Sequence, residues 1–427
     1  TYTVWGGLAA VADRTDGTLS PLPFHLASVI LHALSAVMVF LILRRLVNCD
    51  WPACAGAMVF AVHPLQVEAV SWASGMKDVL AGLLALAALH QHLLDWDATR
   101  RKAHVAISAV FFAAAMLAKP SAVSIIAVAL VLDLLVARAP LARVALALLP
   151  WAIIAAPLVV IAALAQETQG LPSVPFQYRP LIATDSLAFY LLKLFVPINL
   201  ALDYGRAPSV AIESHAALVT WLVPAGVAAL IAVSRSRVVA AAGLVFAAGM
   251  IPNLGLVPFQ FQFYSTVADH YAYLSMLGAA LVTAWVLSRQ TGALPAVVCG
   301  VVLSLLVALT IRQAGVWRDS VTLLRHAVAV NPDSAGARNN LGRALGEAGS
   351  LDQAEEQFRA AMRLAPYDPL SRRNLALVNV KRGNVRAAAD LLAEAIRLNE
   401  LAGENVDADK LELARLIRLA STRPSAK

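Results

Sequence analysis

Charge is scarce in this sequence: only 14% of its 427 residues are Asp, Glu, Lys or Arg, while 59% are apolar. A soluble domain carries roughly 25% charged and 45–50% apolar residues, so the composition excludes a single core folded in water and reads as a membrane protein. Cysteine is scarcer still. Cys49, Cys54 and Cys299 fall in or beside apolar runs without metal-ligand spacing, which argues against a disulfide framework and against any metal site. The formal charge of +7 is scattered between apolar segments, as Lys and Arg at span ends are in any multispan protein, so nucleic acid is set aside as a partner. A signal peptide is lacking too; the chain opens on Thr1 rather than Met, and a further segment upstream is expected.

What charge there is lies unevenly. About half of it falls beyond Arg312, in about the last quarter of the chain. This predicts two all-α domains: a polytopic transmembrane helix bundle over 1–315 and a polar helical domain over 316–427. Crossing roughly 30 Å of hydrocarbon takes about 20 apolar residues in a helix. Ten candidate spans run near 24–43, 53–72, 79–94, 103–118, 121–137, 144–165, 216–234, 238–252, 270–288 and 293–312. The segment 186–200 is short, contains Lys193 and Pro197, and reads as an interfacial or re-entrant helix. Basic residues at span ends (Arg44, Arg45, Arg100, Arg101, Lys102, Arg138, Arg143, Arg235, Arg237 and Arg289) mark the inner face. That orientation puts the stub 1–22, the turns at Lys77 and Lys119, the long loop 166–215, the loop 253–269 and the tail outside the cytoplasm.

The tail repeats itself with a period of 34 residues, the signature of the tetratricopeptide repeat. The shift carries Leu341 to Leu375, Gly349 to Gly383, Ala354 to Ala388, Phe358 to Leu392 and Ala361 to Ala395. Repeats are expected near 335–368 and 369–402, after a half-repeat at 318–332 and before a capping helix at 409–419, together forming a short α-solenoid. Such arrays bind peptides on a concave face. Arg338, Arg343, Arg372 and Arg373 are candidates for gripping an acidic segment, with a plain solvated basic face as the alternative.

Ionic side chains near a bilayer are costly and mark candidate sites. His63-Pro64-Leu65-Gln66-Val67-Glu68 leads on to Lys77 and Asp78, and Pro64 frees backbone carbonyls that neighbours or water must satisfy, which predicts a cavity. The bland alternative makes Lys77 and Asp78 an interfacial ion pair and His63 a packing residue. Lys119-Pro120 is a tight hairpin or a further cation of the site. The loop brings Arg179, Asp185, Asp203, Tyr204 and Arg206, and Asp269-His270-Tyr271 opens a span beside what is otherwise an aromatic belt. Under the chosen orientation all of these share the outer face. Cations with a few carboxylates at a lipid boundary suit a ligand with a phosphate head and an apolar tail, such as a polyprenyl-phosphate sugar.

The blocks FHLASVILHALSAVMVF, HPLQVEAVSWASGMKDVLAG, LAKPSA, YRPLIATDSLAFYLLKLFVPINLALDY and ADHYAYLSMLG, followed by the repeats, resemble the transmembrane and tetratricopeptide repeat-containing proteins and their bacterial relatives. The resemblance implies a GT-C type bundle that passes a sugar, mannose in eukaryotic members, from a polyprenyl-phosphate donor to a protein Ser or Thr hydroxyl on the extracytoplasmic side. No other cofactor is assigned; the high Ala content and the bacterial-type motif variants suggest a prokaryotic inner membrane, and the orientation chosen above puts the repeats outside. The resemblance also places the catalytic carboxylate in a first outer loop upstream of Thr1; Asp13 and Asp16 are read as loop residues. Lys77, Lys119, Arg179, Arg206 and His270 are then the phosphate-binding candidates, His270 standing where relatives commonly have Arg. Glu68, Asp78 and Asp269 support them, and His63, Asp185, Asp203, Tyr204 and Tyr271 line the pocket. The rival readings are a noncatalytic scaffold that recruits envelope proteins through its repeats, and a polymerase or ligase of lipid-linked glycans.

Overall fold

The computed structural model describes residues 1–12, 19–94, 96, 101–165, 174–213, 215, 217–401 and 405–422; Asp13 and Asp16 lie outside them. The chain divides into two compact units, 1–200 with 206–315, and 201–205 with 316–427.

The first unit is a bundle of apolar helices. Among the described residues, Leu22–Val47, Ala73–Leu94, Leu141–Ala165, Ala217–Ser234 and Leu294–Val316 are long and apolar enough to cross a membrane. The pair Asp50–Val62 and Pro64–Ser71, bent by 50°, makes a sixth if counted as one broken span. The other four of the ten expected spans are present as shorter helices. The runs at 103–118, 121–137, 238–252 and 270–288 fold as apolar helices of 10–17 residues. Pro120, which cannot donate to the preceding turn, starts one 3-10 turn, and two others, Ile251–Asn253 and Asp269–Ala272, interrupt the remaining runs. The helix expected within the loop 166–215, near 186–200, runs over Arg179–Phe195.

Close packing holds the bundle. Asp50–Val62 packs on Met276–Ser288, which packs on Arg237–Met250. A Cβ at Gly56 would lie 2.5 Å from the Ala280 carbonyl oxygen, and one at Gly278 would lie 2.4 Å from that of Ala242, so only glycine permits these approaches. Where the broken helix ends, side chains meet several of the freed backbone groups. His32 Nε2 bonds the Ala61 carbonyl at 3.0 Å, and Thr310 Oγ1 donates to the Val62 carbonyl at 2.6 Å. The Leu65 amide donates to His63 Nδ1 at 3.3 Å.

Among the described residues, the second unit has six helices, from Ser320–Val330 to Asp407–Thr422. The period of the sequence is visible in its turns: Gly349 and Gly383 adopt φ of 81° and 80° between the helices of two successive pairs. Ser334 and Asp368 cap the first helix of each pair, accepting from Ala337 N and Leu370 N. Phe358, 2% exposed, packs over Gly342 in a core with Leu341, Leu345, Leu375 and Val378. Replacing Phe358 with Ala is expected to cost about 3–5 kcal/mol, read as an earlier loss of helical signal from this unit on chemical denaturation.

Arg382 ties the two pairs together, bonding Glu355 through Nη1 and Asp352 through Nη2, the latter at 2.5 Å. The Arg382 bond holds the Glu355 carboxyl below the usual carboxylate range against a smaller opposing effect of burial. The folded state thus binds that proton more weakly than the unfolded chain. The stability it contributes is present above the unfolded value near ~4.3 and is lost as the pH falls through the lower folded value. Thermal unfolding between neutral and strongly acid pH is expected to show a shallower acid loss in Glu355→Gln than in the native chain; equal slopes would exclude this contribution.

Candidate functional site

The break at His63–Pro64 turns the chain into the short helix Val67–Ser71, which packs against the 3-10 turn Asp269–Ala272. This brings Glu68 to His270. The His270 backbone N–H donates to Glu68 Oε2 at 3.1 Å, and the His270 ring Nδ1 lies 3.1 Å from Oε1, off the line of a hydrogen bond. Next to them Asp78, in the first turn of Met76–Leu94, pairs with Lys119, at the end of a neighbouring helix; the two side chains are 7% and 17% exposed. The second oxygen of Asp78 has no hydrogen-bond partner among the described residues. Lys119 Nζ stands 5.5 Å from the centre of the Tyr271 ring. Asp78, Lys119, His270 and Tyr271, with Ser121 and Asn253, line one cavity of about 20 Å³, room for a water molecule. Lys77, next to Asp78 in the chain, is half-buried, its Nζ 6.0 Å from the Trp72 ring centre.

A second ionic group lies on the helix Arg179–Phe195. Its residues Asp185, Phe189 and Lys193 recur every four positions and so share one face. Arg206 Nη2 donates to both oxygens of Asp185 at 2.7 Å, and Thr220 Oγ1 donates to Asp185 Oδ1 at 2.8 Å. The Phe189 ring lies 5.6 Å from both the Arg206 guanidinium and the Lys193 ammonium. The fully buried Tyr190 joins this group to the first. Its hydroxyl donates to the Ala268 carbonyl at 3.0 Å and accepts from the Ala268 N–H at 3.1 Å, pinning the residue that precedes Asp269 and His270.

The structure therefore assembles Glu68, Asp78, Lys119, His270 and Tyr271, with Asp269 in the same 3-10 turn as His270 and Lys77 beside Asp78 in the chain, and holds Asp185 on the helix Arg179–Phe195 with Arg206 bonded to it from the following loop. Other candidates are placed differently. His63 is corrected from pocket to backbone anchor: Nδ1 serves Leu65 and Nε2 bonds the Leu194 carbonyl at 3.1 Å, so both ring nitrogens are occupied. Arg179 donates to the carbonyls of Val174 and Leu256. Asp203 and Tyr204 group with the second unit, where Asp203 accepts from Gly205 N and Ser334 Oγ and Tyr204 accepts from Ala201 N. The four repeat arginines do not form an unpaired basic face: Arg338 bonds Gln357, Arg343 bonds Glu347, Arg372 bonds Glu394 and Arg373 bonds Asp409. Two contributors carried little signal in the sequence: Tyr190 looks like any belt tyrosine, and Thr220 is a lone hydroxyl in an apolar run. Tyr190→Phe leaves both Ala268 backbone groups without their partner and is expected to cost about 1–3 kcal/mol, measured as a lower thermal midpoint of the purified protein.

No family model matches the chain. It is similar to a protein O-mannosyl-transferase of Caenorhabditis elegans, 24% identical over 81% of this chain and 51% of that protein. It is likewise similar to protein O-mannosyl-transferase TMTC3 of Mus musculus, 24% identical over 95% of this chain and 50% of that one. A shorter stretch, 28% of this chain, is 30% identical to Tmtc1 of Drosophila melanogaster and covers 14% of it. The chain spans about half the length of the first two relatives. Among solved structures, it is similar to ArnT from Cupriavidus metallidurans bound to undecaprenyl phosphate, with a TM-score of 0.36 and 15% identity over 88% of this chain and 66% of that one. The multi-pass membrane protein described above thus has TMTC protein O-mannosyl-transferases as its homologues.

Proposed function

We propose that this protein is a GT-C type membrane glycosyltransferase that passes a sugar from a polyprenyl-phosphate donor to a protein Ser or Thr hydroxyl at the extracytoplasmic face of a bacterial inner membrane. The observation that carries the reading is the convergence of Lys119 and His270, each held by a buried carboxylate, on one cavity. A phosphate is an anion with acceptor oxygens, and fixed cations in a poorly solvated site are what its departure from the anomeric carbon demands. The names of the homologues supply the class of reaction, and the geometry supplies a place for the leaving group.

Displacement at the anomeric carbon leaves negative charge on the lipid phosphate. Lys119 meets that charge directly, with Lys77 close behind it, and His270 adds charge when protonated. Asp78 and Glu68 hold these groups in place, so in this reading they orient the cations and do not take the acceptor's proton. The cavity admits a water and not a sugar phosphate, so binding of the donor exchanges the Asp78–Lys119 pair for a phosphate–Lys119 pair as the site opens. Arg206, bonded to both oxygens of Asp185, braces the flank. The tetratricopeptide-type repeats present the acceptor protein or a partner, through surfaces other than a bare arginine face.

The test is binding of a polyprenyl phosphate to the purified chain. Lys119→Ala removes a charge-assisted bond worth about 1.5–3 kcal/mol, so affinity is expected to fall roughly 10- to 100-fold. Arg338→Ala, in the repeats, is expected to leave it unchanged. Unaltered affinity in Lys119→Ala would remove the assignment.

A further inference from the structure

The first unit holds a second cavity, of about 480 Å³, lined by Arg44, Arg45, His90 and Trp96 with Leu41 and Leu94 as its apolar wall. Its size lies in the range of small-molecule sites. Asp78 and His90 stand twelve residues apart on the helix Met76–Leu94, roughly 18 Å along its axis, so the two cavities occupy opposite ends of that helix. The chemistry of the second is cationic. Arg44 and Arg45 fill the last turn of Leu22–Val47, where the helix dipole favours positive charge. Arg143 reaches the rim, its guanidinium donating to the Trp96 carbonyl at 3.4 Å. The carboxylate paired with Arg44 is Asp50, at 2.7 Å, and both side chains are more than half exposed, which makes a weak pair that a stronger anion replaces.

The aromatic wall is built to hold its position. Trp96 Nε1–H donates to Asp133 Oδ1 at 2.7 Å, and the other oxygen of Asp133 bonds His92 Nε2 at 2.9 Å. Both His92 and Asp133 are buried, and the His92 ring packs on Trp151 with centroids 5.4 Å apart. A carboxylate buried in an apolar bundle is costly; here its bonds fix the indole and the imidazole in one arrangement. The helices that carry the cations and the apolar wall are two of those long enough to cross a bilayer. A cavity with arginines at the helix end, a tryptophan at the boundary and leucines running inward matches a headgroup followed by its chains.

We propose that this cavity binds the phosphate of an anionic membrane amphiphile, with Arg44 and Arg45 on the phosphate, Trp96 against the headgroup, and the chains leaving along Leu41 and Leu94. The site is separate from the sugar-donor cavity and does not depend on the transferase reading. The experiment is native mass spectrometry of the full chain in mixed micelles containing phosphatidylglycerol or phosphatidylcholine. The native chain is expected to retain phosphatidylglycerol about tenfold or more over phosphatidylcholine, the size of effect that losing one charge-assisted contact removes. The double variant Arg44→Gln with Arg45→Gln is expected to lose that preference. Arg44→Lys with Arg45→Lys keeps the charge and is expected to keep most of the preference, which separates loss of the site from loss of the fold. Lys119→Ala, at the other cavity, is expected to retain the adduct. Equal retention of the two lipids by the native chain, or undiminished retention by the Gln double variant, overturns the proposal. Inorganic phosphate in excess that fails to displace the lipid assigns the site to the amphiphile; binding of inorganic phosphate as tight as that of the lipid overturns the amphiphile and leaves a site for free phosphate.

Discussion

The interaction on which the first unit depends is the repair of one broken helix. His63 and Pro64 stop a run of apolar residues after Val62, and in a bundle of lipid-spanning helices each carbonyl released there must be bonded to protein. His32, Thr310 and His63 itself supply or receive the bonds at Ala61, Val62, Leu65 and Leu194, drawing on distant parts of the chain. The repair brings the helices Leu22–Val47, Leu294–Val316 and Arg179–Phe195 to one point. Once the chain has turned there, Glu68 points at His270, and the 3-10 turn Asp269–Ala272 has a fixed partner.

The same demand, applied to charge, accounts for the ionic pairs that follow. Glu68, Asp78 and Asp185 are each nearly buried, and each has a cation or an imidazole within about 3 Å or closer. Pairs of this kind contribute little net stability, because the desolvation of two charges offsets their attraction. Their effect is positional. A lysine held by a carboxylate and an aromatic face has few alternatives, so Lys119 is presented to the cavity in one place. Tyr190 acts in the same sense on the backbone, since its two bonds to Ala268 fix where the following Asp269 and His270 stand.

Much of this was legible in the sequence where one residue dictates one local outcome. Pro64 implied freed carbonyls, and those of Ala61 and Val62 are bonded by side chains from other helices. The 34-residue recurrence of Gly349 and Gly383 appears as two left-handed turns, because a glycine in such a turn is a local requirement. Helix lengths were less legible: Pro120 and the turns at Ile251–Asn253 and Asp269–Ala272 shorten apolar runs that hydropathy alone joins. Partner choice was not legible. Arg338, Arg343, Arg372 and Arg373 look identical in sequence to free surface cations, and their partners lie 4 to 36 residues away, with three of the four beyond the next turn. Asp203 and Asp185 sit in one stretch with the same chemistry, and they part company because five residues, 201–205, pack with the repeats. Such partings depend on packing across long separations, which composition and periodicity do not encode.

A small cavity with a paired lysine suits, on the proposed reading, a site that exchanges one anion for another. Lys119 has already lost most of its hydration in pairing with Asp78, so a phosphate that replaces the carboxylate does not meet the full cost of stripping water from the ammonium. The exchange conserves the charge around Lys119, and the carboxylate set free has Lys77 beside it. A lysine kept bare for the substrate would instead sit unpaired in a poorly solvated place, where burial favours its neutral form and weakens its hold on phosphate. On the proposed reading, the carboxylate partner thus holds the ammonium in place and largely stripped of water for a phosphate to take over, which is a physical reason for a buried acid and base to stand together there.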